Sequence, residues 1–358
     1  MSSLKLSQLA GGRNNNFNLL RILAALAVLV SHSFPLTGSS DPLGGWVGMT
    51  GGNIAVDVFF VASGFLVTTS LVGRPSLAGF LIARALRVFP ALVVMLVLTV
   101  FVLGAAVTTL PVHDYLRSHD TYHYLIKCAT LFNGVEFHLP GVFEDNPMSR
   151  AVNGSLWSLP VEVRLYVLVA LIWLSLAVLG RFRGRVFSGL TVILAVTAGF
   201  LVVSTHMKGE TESAALRLIF MFFSGSAFFF LKPVVPMSGR ILAALLAALI
   251  VAAFSPSVFH VAYMVFLSYL VLLVAYVPDG MIREYNRVGD YSYGVYIYAF
   301  PLQQTIVWLV PGISPMALFF AALPIVIALA MLSWHLLEKR ALGWAWPQRT
   351  SLAKSLLE

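Results

Sequence analysis

Charge and cysteine are both scarce in this sequence. Charged residues make up 11% of the 358 positions and hydrophobic residues 59%, whereas a soluble domain is about 25% charged. A water-soluble fold cannot bury so much apolar surface, so the composition excludes one. Cys128 is the single cysteine, which excludes an intrachain disulfide and a cysteine-based metal site. We expect no bound metal.

The apolar residues are gathered into long uninterrupted stretches. Each stretch is long enough to cross about 30 Å of hydrocarbon as a helix, and none shows the alternation of a membrane barrel strand. The pattern predicts an all-α polytopic integral membrane protein with about ten transmembrane helices. They are placed at about 17–36, 52–72, 86–110, 156–179, 186–204, 214–231, 240–255, 258–277, 291–310 and 315–337.

The formal net charge of +8 follows the membrane topology and does not indicate nucleic acid. With the N-terminus inside, sixteen Lys and Arg residues fall on the cytoplasmic side, Arg13, Arg349 and Lys354 among them, against about six outside. Both termini are therefore predicted to be cytoplasmic. The domain prediction is an N-terminal segment 1–16, a transmembrane domain 17–338 with an outer loop 111–154, and a cytoplasmic tail 339–358.

Two ionisable residues, Arg21 and His32, lie inside the first apolar stretch. Such residues are costly within a membrane and usually mark function. Eleven residues are close to three helical turns, so both side chains share a face, about 16 Å apart. The alternatives are a snorkelling Arg21 near the interface and a His32 that only bonds a neighbouring helix.

Two carboxylates fall in other predicted spans. Asp57 and Glu162 are expected near the outer ends of the second and fourth spans, at the depth of His32. Asp57 could orient His32 and stabilise its protonated form, or form a purely structural pair with it. Glu162 has Arg164 as an alternative ion-pair partner. Near Asp57, the small residues Ser63 and Gly64 predict close helix packing.

A pair of arginines, Arg84 and Arg87, occurs in the segment IARALRVFP. Three residues apart on a helix, they share one face and suit a phosphate or pyrophosphate. Ordinary positive-inside anchoring is the alternative. In the ninth span, closely spaced tyrosines could form an aromatic belt or line a substrate cleft: Tyr291, Tyr293, Tyr296 and Tyr298.

Taken in order, these motifs resemble the membrane acyltransferase-3 family, the integral-membrane O-acyltransferases of bacterial surface glycans. The resemblance covers essentially the whole chain. It consists of the Arg-x10-His pair from Arg21, DVFFVASGF from Asp57, the Arg-x2-Arg pair from Arg84, SLWSLPVE ending at Glu162, YSYGVYIY from Tyr291, and the terminal SWHLLEKR.

The resemblance implies residue roles. His32 would be the catalytic histidine, with Glu162 and Asp57 tuning it or binding the acceptor. Cytoplasmic acyl-CoA would be held through its phosphates by Arg21, Arg84 and Arg87, and the acceptor would meet Trp157, Tyr166 and Tyr296. Two departures stand out: Asn18 replaces a common Asp, so Arg21 would lack a carboxylate partner, and residues 299–301 replace a stretch that usually contains histidine.

The predicted function is transfer of an acyl group, acetyl by preference, from acyl-CoA to a hydroxyl of a surface polysaccharide, its lipid-linked precursor or another glycosylated acceptor. The location would be the bacterial cytoplasmic membrane. Acyl-CoA is a co-substrate and no cofactor is permanently bound. The expected partners are acyl-CoA, a glycan or glycolipid and membrane lipid, with a homodimer left open. The alternatives are a transporter or flippase of an anionic or lipid-linked solute and a membrane scaffold.

Overall fold

The computed structural model describes residues 4–10, 14–74 and 76–344. Arg13, Arg349 and Lys354, which the charge pattern assigns to the cytoplasmic side, and the tail beyond residue 344 lie outside the described residues. Within them, helices account for almost the whole fold, and the strands are limited to one short pair, Leu4–Lys5 and Pro236–Met237. The predicted all-α class is confirmed.

Most helices follow one another with short connections, but the long segment 131–153 separates His119–Thr130 from the turn Gly154–Ser158. In the first half they are α1 (Leu6–Leu9), α2 (Phe17–Leu36), α3 (Pro42–Val47), α4 (Gly51–Gly73), α5 (Leu77–Val97), α6 (Ala105–Val107), α7 (Val112–Arg117) and α8 (His119–Thr130). In the second half they are α9 (Leu159–Ser175), α10 (Arg183–Met207), α11 (Ala214–Leu231), α12 (Gly239–Ala252), α13 (Pro256–Tyr276), α14 (Ser292–Leu309), α15 (Pro315–Ser333) and α16 (Lys339–Trp344).

Tighter and wider helical turns link several of these helices. The π-helical turns are Leu98–Gly104, between α5 and α6, and Trp334–Glu338, between α15 and α16. The 3₁₀ turns are Gly154–Ser158, which leads into α9, Leu176–Phe182, which joins α9 to α10, and Gly280–Arg287, before α14.

Seven helical segments of the described chain are long and apolar enough to cross a membrane. They are Phe17–Leu36, Gly51–Gly73, Leu77–Val107, Gly154–Met207, Ala214–Leu231, Pro256–Tyr276 and Pro315–Trp344. The predicted spans 156–179 and 186–204 form one of them, which turns at Gly180 with φ +50°. The span predicted at 240–255 is the shorter α12, and α5 begins at Leu77, nine residues before the predicted start at 86. The protein is thus an all-α, multi-pass membrane protein.

Serine side chains fix where several helices begin. Ser76, Ser213 and Ser314 each accept a hydrogen bond from a backbone N–H of the first turn of α5, α11 and α15. These N–H groups have no partner within the helix, and a serine oxygen satisfies one of them. The caps therefore mark helix starts that hydropathy alone leaves uncertain by several residues.

The fold divides into two compact units. The first unit comprises the described residues of Met1–Ser31, Ser40–Gly73 and Leu168–Ser292. The second unit comprises those of His32–Ser39, Arg74–Val167 and Tyr293–Glu358. Asp57 and Arg21 belong to the first unit, whereas His32, Arg84, Arg87 and Glu162 belong to the second.

In the first unit, α4 and α11 pack backbone against backbone. A Cβ atom added at Gly64 would lie 1.9 Å from the carbonyl oxygen of Phe222, and one added at Gly225 would lie 2.1 Å from that of Val61. Only glycine permits this approach, as is common where membrane helices meet through small residues. The packing role predicted for Gly64 is confirmed.

Candidate active site

His32 lies near the end of α2, half-buried in the second unit. Its ring meets the ring of Phe300 on α14 edge-on, with centroids 5.2 Å apart and an interplanar angle of 78°. The Phe300 ring also packs against the backbone at Gly154, because a Cβ added there would lie 2.6 Å from the ring. The departure at 299–301 therefore places a fully packed aromatic ring beside the predicted catalytic histidine.

Beside His32, two glutamines of α14 hold polar contacts inside the second unit. The Gln303 amide donates to the Ser33 hydroxyl at 2.8 Å, and both residues are fully buried. The Gln304 side-chain oxygen accepts a hydrogen bond from the Asn146 amide at 2.7 Å, and the Gln304 amide donates to the Ala151 carbonyl at 2.6 Å. The outer loop is thus tied to the helix that carries Phe300. Sequence reasoning missed both glutamines, although two adjacent amides in an apolar helix are a usable signal.

Glu162 forms a pair with Tyr166, one turn further along α9. The Tyr166 hydroxyl donates a hydrogen bond to the Glu162 carboxylate, and the guanidinium carbon of Arg84 lies 6.0 Å from the centre of the Tyr166 ring. A cation over an aromatic face is attracted by the ring. Arg84, Tyr166 and Glu162 therefore form a continuous polar chain between α5 and α9.

Glu162 is predicted from the sequence to lie at the depth of His32, and that placement stays a prediction. It follows the turn Gly154–Ser158, whose first residue packs against Phe300. Arg164 donates to the carbonyl of Phe132, so it anchors the outer loop.

The tyrosines of the ninth predicted span point into the protein. Tyr291, Tyr293, Tyr296 and Tyr298 are all buried, at 6–9% exposure, whereas a belt residue faces the headgroup region. Tyr296 donates to the Ser155 carbonyl at 2.7 Å, and its hydroxyl lies 2.8 Å from that of Ser158. Tyr296 thus bridges α14 to the turn that carries Trp157, which is half-buried.

Arg87 is held in a buried ion pair. Its guanidinium lies 3.2 Å from the carboxylate of Glu338, which also accepts a hydrogen bond from Ser333 at 3.0 Å. Glu338 is 1% exposed. The ring of Tyr293 lies 5.7 Å from the Arg87 guanidinium carbon, and the Tyr293 hydroxyl donates to the Val88 carbonyl at 2.9 Å. Glu338 was absent from the predicted site.

In the first unit, Arg21 has a carboxylate partner after all. Its guanidinium lies 2.5 Å from the carboxylate of Asp290, 269 residues further along the chain. Ser292 donates to the other oxygen of Asp290 at 2.5 Å. The expectation that Asn18 leaves Arg21 without such a partner is wrong, because Asp290 reaches Arg21 through the tertiary fold.

Asp57 belongs to a buried polar cluster of the first unit. Its carboxylate lies 3.2 Å from the Arg217 guanidinium and accepts a hydrogen bond from the Tyr263 hydroxyl at 2.8 Å. Nearby, His260 lies 3.3 Å from the Glu212 carboxylate. Burial raises the pKa of Glu212, and the Arg217 guanidinium opposes that rise. This network accounts for the charge of Asp57, and its predicted catalytic role stays a prediction.

The outer loop folds into α7 and α8 and a chain of turns. Its histidines are exposed, and His138 lies 3.5 Å from the Glu136 carboxylate. Burial would raise the pKa of Glu136, but the Phe137 N–H and Lys127 outweigh it and leave that pKa below its usual value. Across residues 4–10, 14–74 and 76–344, no three His, Cys, Asp or Glu side chains are grouped so as to hold a metal ion.

Known proteins match this chain over nearly its full length. The family model described as an acyltransferase domain matches residues 14–335. An O-acetyl transferase of Shigella phage Sf6 is 30% identical over 346 residues, covering 94% of this chain and 98% of the phage protein. Nodulation protein 10 of Rhizobium leguminosarum bv. viciae is 30% identical over 204 residues, covering 56% of this chain and 53% of that protein. No solved structure matches the chain. With that coverage and the helical membrane fold, the chain belongs to the acyltransferase-3 family of membrane acyltransferases.

Proposed function

We propose that this protein transfers an acyl group, acetyl by preference, from cytoplasmic acyl-CoA to a hydroxyl of a glycan acceptor. The acceptor is a surface polysaccharide, its lipid-linked precursor or another glycosylated molecule. The setting is the bacterial cytoplasmic membrane, crossed about ten times with both termini inside. The name of the phage relative supports O-acetyl transfer, and the arrangement of the second unit supports the choice of residues.

The observation that carries the proposal is the arrangement of cations and His32 along α14. Arg87 contacts Tyr293, and His32 contacts Phe300, seven residues later on the same helix, which is about 10 Å of α-helix. A pantetheine arm is thin and flexible and can span such a distance. The CoA phosphates would remain near the arginines while the thioester reaches His32.

His32 would act as a general base on the acceptor hydroxyl. It would remove the hydroxyl proton as the oxygen attacks the thioester carbonyl, forming a tetrahedral oxyanion. Collapse of that intermediate breaks the carbon–sulfur bond, forms the ester and returns the proton from His32 to the CoA thiolate. Attack by His32 itself, giving an acyl-imidazole, is the second route. Phe300 would keep the imidazole in one orientation in either route.

The remaining predicted residues would serve binding and positioning. Glu162, fixed by Tyr166, would stand between the arginine pair and Tyr296, where it could orient the pantetheine arm or the acceptor. Trp157 belongs to the turn Gly154–Ser158, which Tyr296 contacts through Ser155, and both aromatic side chains would line the acceptor path. Asp57 would keep the contacts that it makes with Arg217 and Tyr263 within the first unit, and its catalytic role stays a prediction.

The decisive assay measures release of free thiol from acetyl-CoA by the purified protein in detergent, with and without candidate glycans. We expect acceptor-dependent thiol release, reduced about 10²- to 10⁴-fold in His32→Ala, the usual worth of a general base. His119→Ala is the matched control, because that histidine lies on α8 with a side chain 90% exposed. An absence of both CoA turnover and CoA binding would refute the proposed acyltransferase activity. Solute flux in proteoliposomes without thiol release would establish the transporter alternative.

A further inference from the structure

The three arginines expected to hold the CoA phosphates differ in what already neutralises them. Arg21 is paired with Asp290 and Arg87 with Glu338. Arg84 has no carboxylate within ion-pair distance anywhere in the portion of the chain that the structure describes. A cation that is already paired attracts a phosphate less than one that is not, because the partner's negative charge acts on the phosphate as well.

The Arg87–Glu338 ion pair is buried and would be costly to separate. The Glu338 carboxylate is 1% exposed and the Arg87 side chain 12% exposed. Removing one member of a buried pair leaves the other as an uncompensated buried charge, which is strongly unfavourable. A phosphate that approaches Arg87 is repelled by the adjacent Glu338 carboxylate, and the Tyr293 ring beside the Arg87 guanidinium holds it further in place.

Arg84 is arranged differently, although it lies on the same face of α5. It is half-buried, its guanidinium rests over the Tyr166 ring, and its buried Nε–H has no hydrogen-bond acceptor. An unpaired N–H on a charged group is unfavourable until an acceptor arrives. The ring fixes the direction of the guanidinium without neutralising its charge.

We infer that Arg84 is the phosphate ligand of the arginine pair and that Glu338 is a positioning residue which holds Arg87 out of the phosphate site. The inference rests on the proposed function, since it assumes that acyl-CoA binds here. It assigns different work to two residues that the Arg-x2-Arg pattern treats as equivalent. Arg87 secures α5 to the Trp334–Glu338 turn, and this contact sets where Arg84 points.

The test compares binding of acetyl-CoA with binding of acetyl-pantetheine, which carries the same thioester and no phosphate. The quantity is the ratio of the two dissociation constants in the full-length protein in detergent. Arg84→Ala should reduce the preference for acetyl-CoA about tenfold or more, the usual worth of a charged hydrogen bond. Arg87→Ala should lower thermal stability while largely keeping the preference.

Glu338→Gln distinguishes the proposed positioning role from a purely structural one, because only the positioning role predicts a change in the preference for acetyl-CoA. With the buried negative charge removed, no Glu338 carboxylate repels a phosphate that approaches Arg87. The preference for acetyl-CoA should therefore rise several-fold and become more sensitive to salt. In the double variant Arg84→Ala/Glu338→Gln, the released Arg87 should restore part of the preference lost in Arg84→Ala.

The outcomes separate the inference from the proposed function. If the unaltered protein binds acetyl-CoA no better than acetyl-pantetheine, the proposed CoA site itself is wrong, and the inference falls with it. If the unaltered protein prefers acetyl-CoA, but Arg84→Ala keeps that preference and Arg87→Ala removes it, the inference alone is overturned. A Glu338→Gln variant that only unfolds more easily, with the preference unchanged, contradicts the role given to Glu338.

Discussion

The ring of Phe300 lies edge-on to the ring of His32, with centroids 5.2 Å apart, and it also packs against the Gly154 backbone. Phe300 is 1% exposed, and a side chain so confined can hold its neighbour in one orientation. The pair therefore links the packing of α2 and α14 to the chemistry proposed for His32.

Replacing Phe300 with leucine should lower turnover more than it lowers substrate binding. Loss of the ring allows the imidazole to tilt, and a misplacement of about 1 Å can reduce a rate about 100-fold. We expect kcat to fall about 10- to 100-fold in Phe300→Leu, with the acetyl-CoA dissociation constant unchanged. Phe320→Leu is the control, because Phe320 on α15 is 62% exposed. Normal kcat in a folded Phe300→Leu protein would refute the positioning role.

Asp57 should prove essential to stability through its ion pair with Arg217. Both residues are buried, at 0% and 7% exposure, and breaking such a pair costs about 3–5 kcal/mol. Asp57→Asn should lower the free energy of unfolding by about that amount. The double variant Asp57→Asn/Arg217→Met should recover most of the loss, because no charge is then left unpaired. Denaturant unfolding measures both.

The same variants separate structure from catalysis at Asp57. If Asp57 takes part in acyl transfer as predicted, the stable double variant should still have low turnover per folded molecule. Equal stability of the single and double variants would contradict the ion-pair account.

Glu212 should make stability depend on pH. Burial raises its pKa above the ordinary 4.5, so the folded protein binds this proton more tightly than the unfolded chain does. Its contribution to stability is complete below the unfolded pKa and is lost as the pH rises through the folded pKa. Relative to the unaltered protein, Glu212→Gln should therefore gain in melting temperature as the pH is raised from 4 to 8.

Glu210→Gln is the control for that series, since Glu210 is an exposed neighbour in the same connection. A melting-temperature difference for Glu212→Gln that stays constant across the pH range would show that the carboxyl does not titrate differently in the folded state.

Cys128 should resist thiol reagents in the folded protein. It is fully buried, and burial raises the pKa of its thiol to about 12, so almost no reactive thiolate forms at pH 8. Maleimide should leave the native protein unlabelled and modify it completely once it is denatured. His119→Cys, on the exposed side of α8, should label rapidly in the native state. Prompt labelling of native Cys128 would contradict its buried position.

Several parts of the fold were predicted correctly from local features of the sequence. The apolar stretch 17–36 coincides with α2, and 214–231 with α11, because length and hydropathy suffice to specify a buried helix in lipid. Gly64 was recognised as a close-packing residue for a similar reason, since small residues in apolar helices usually mark contacts. The start of α5 was misplaced because Arg84 and Arg87 lower the local hydropathy of its first three turns.

The partners of the charged residues could not be predicted in this way. Arg87 and Glu338 are 251 residues apart, and no periodicity connects residues so distant in the chain. Glu162 accepts a hydrogen bond from Tyr166 on the same helix, and its predicted place at the depth of His32 stays a prediction.

By itself the sequence determined a helical, multi-pass membrane protein of the acyltransferase-3 family, since apolar length, charge bias and motif order are all local properties. Only the tertiary structure decided that Asp290 and Glu338 pair with Arg21 and Arg87, that Arg84 has no carboxylate partner among the described residues, and that Phe300 contacts His32. What a buried charge can bind in a membrane protein depends on which residue already pairs with it, and the packing of the helices determines that partner.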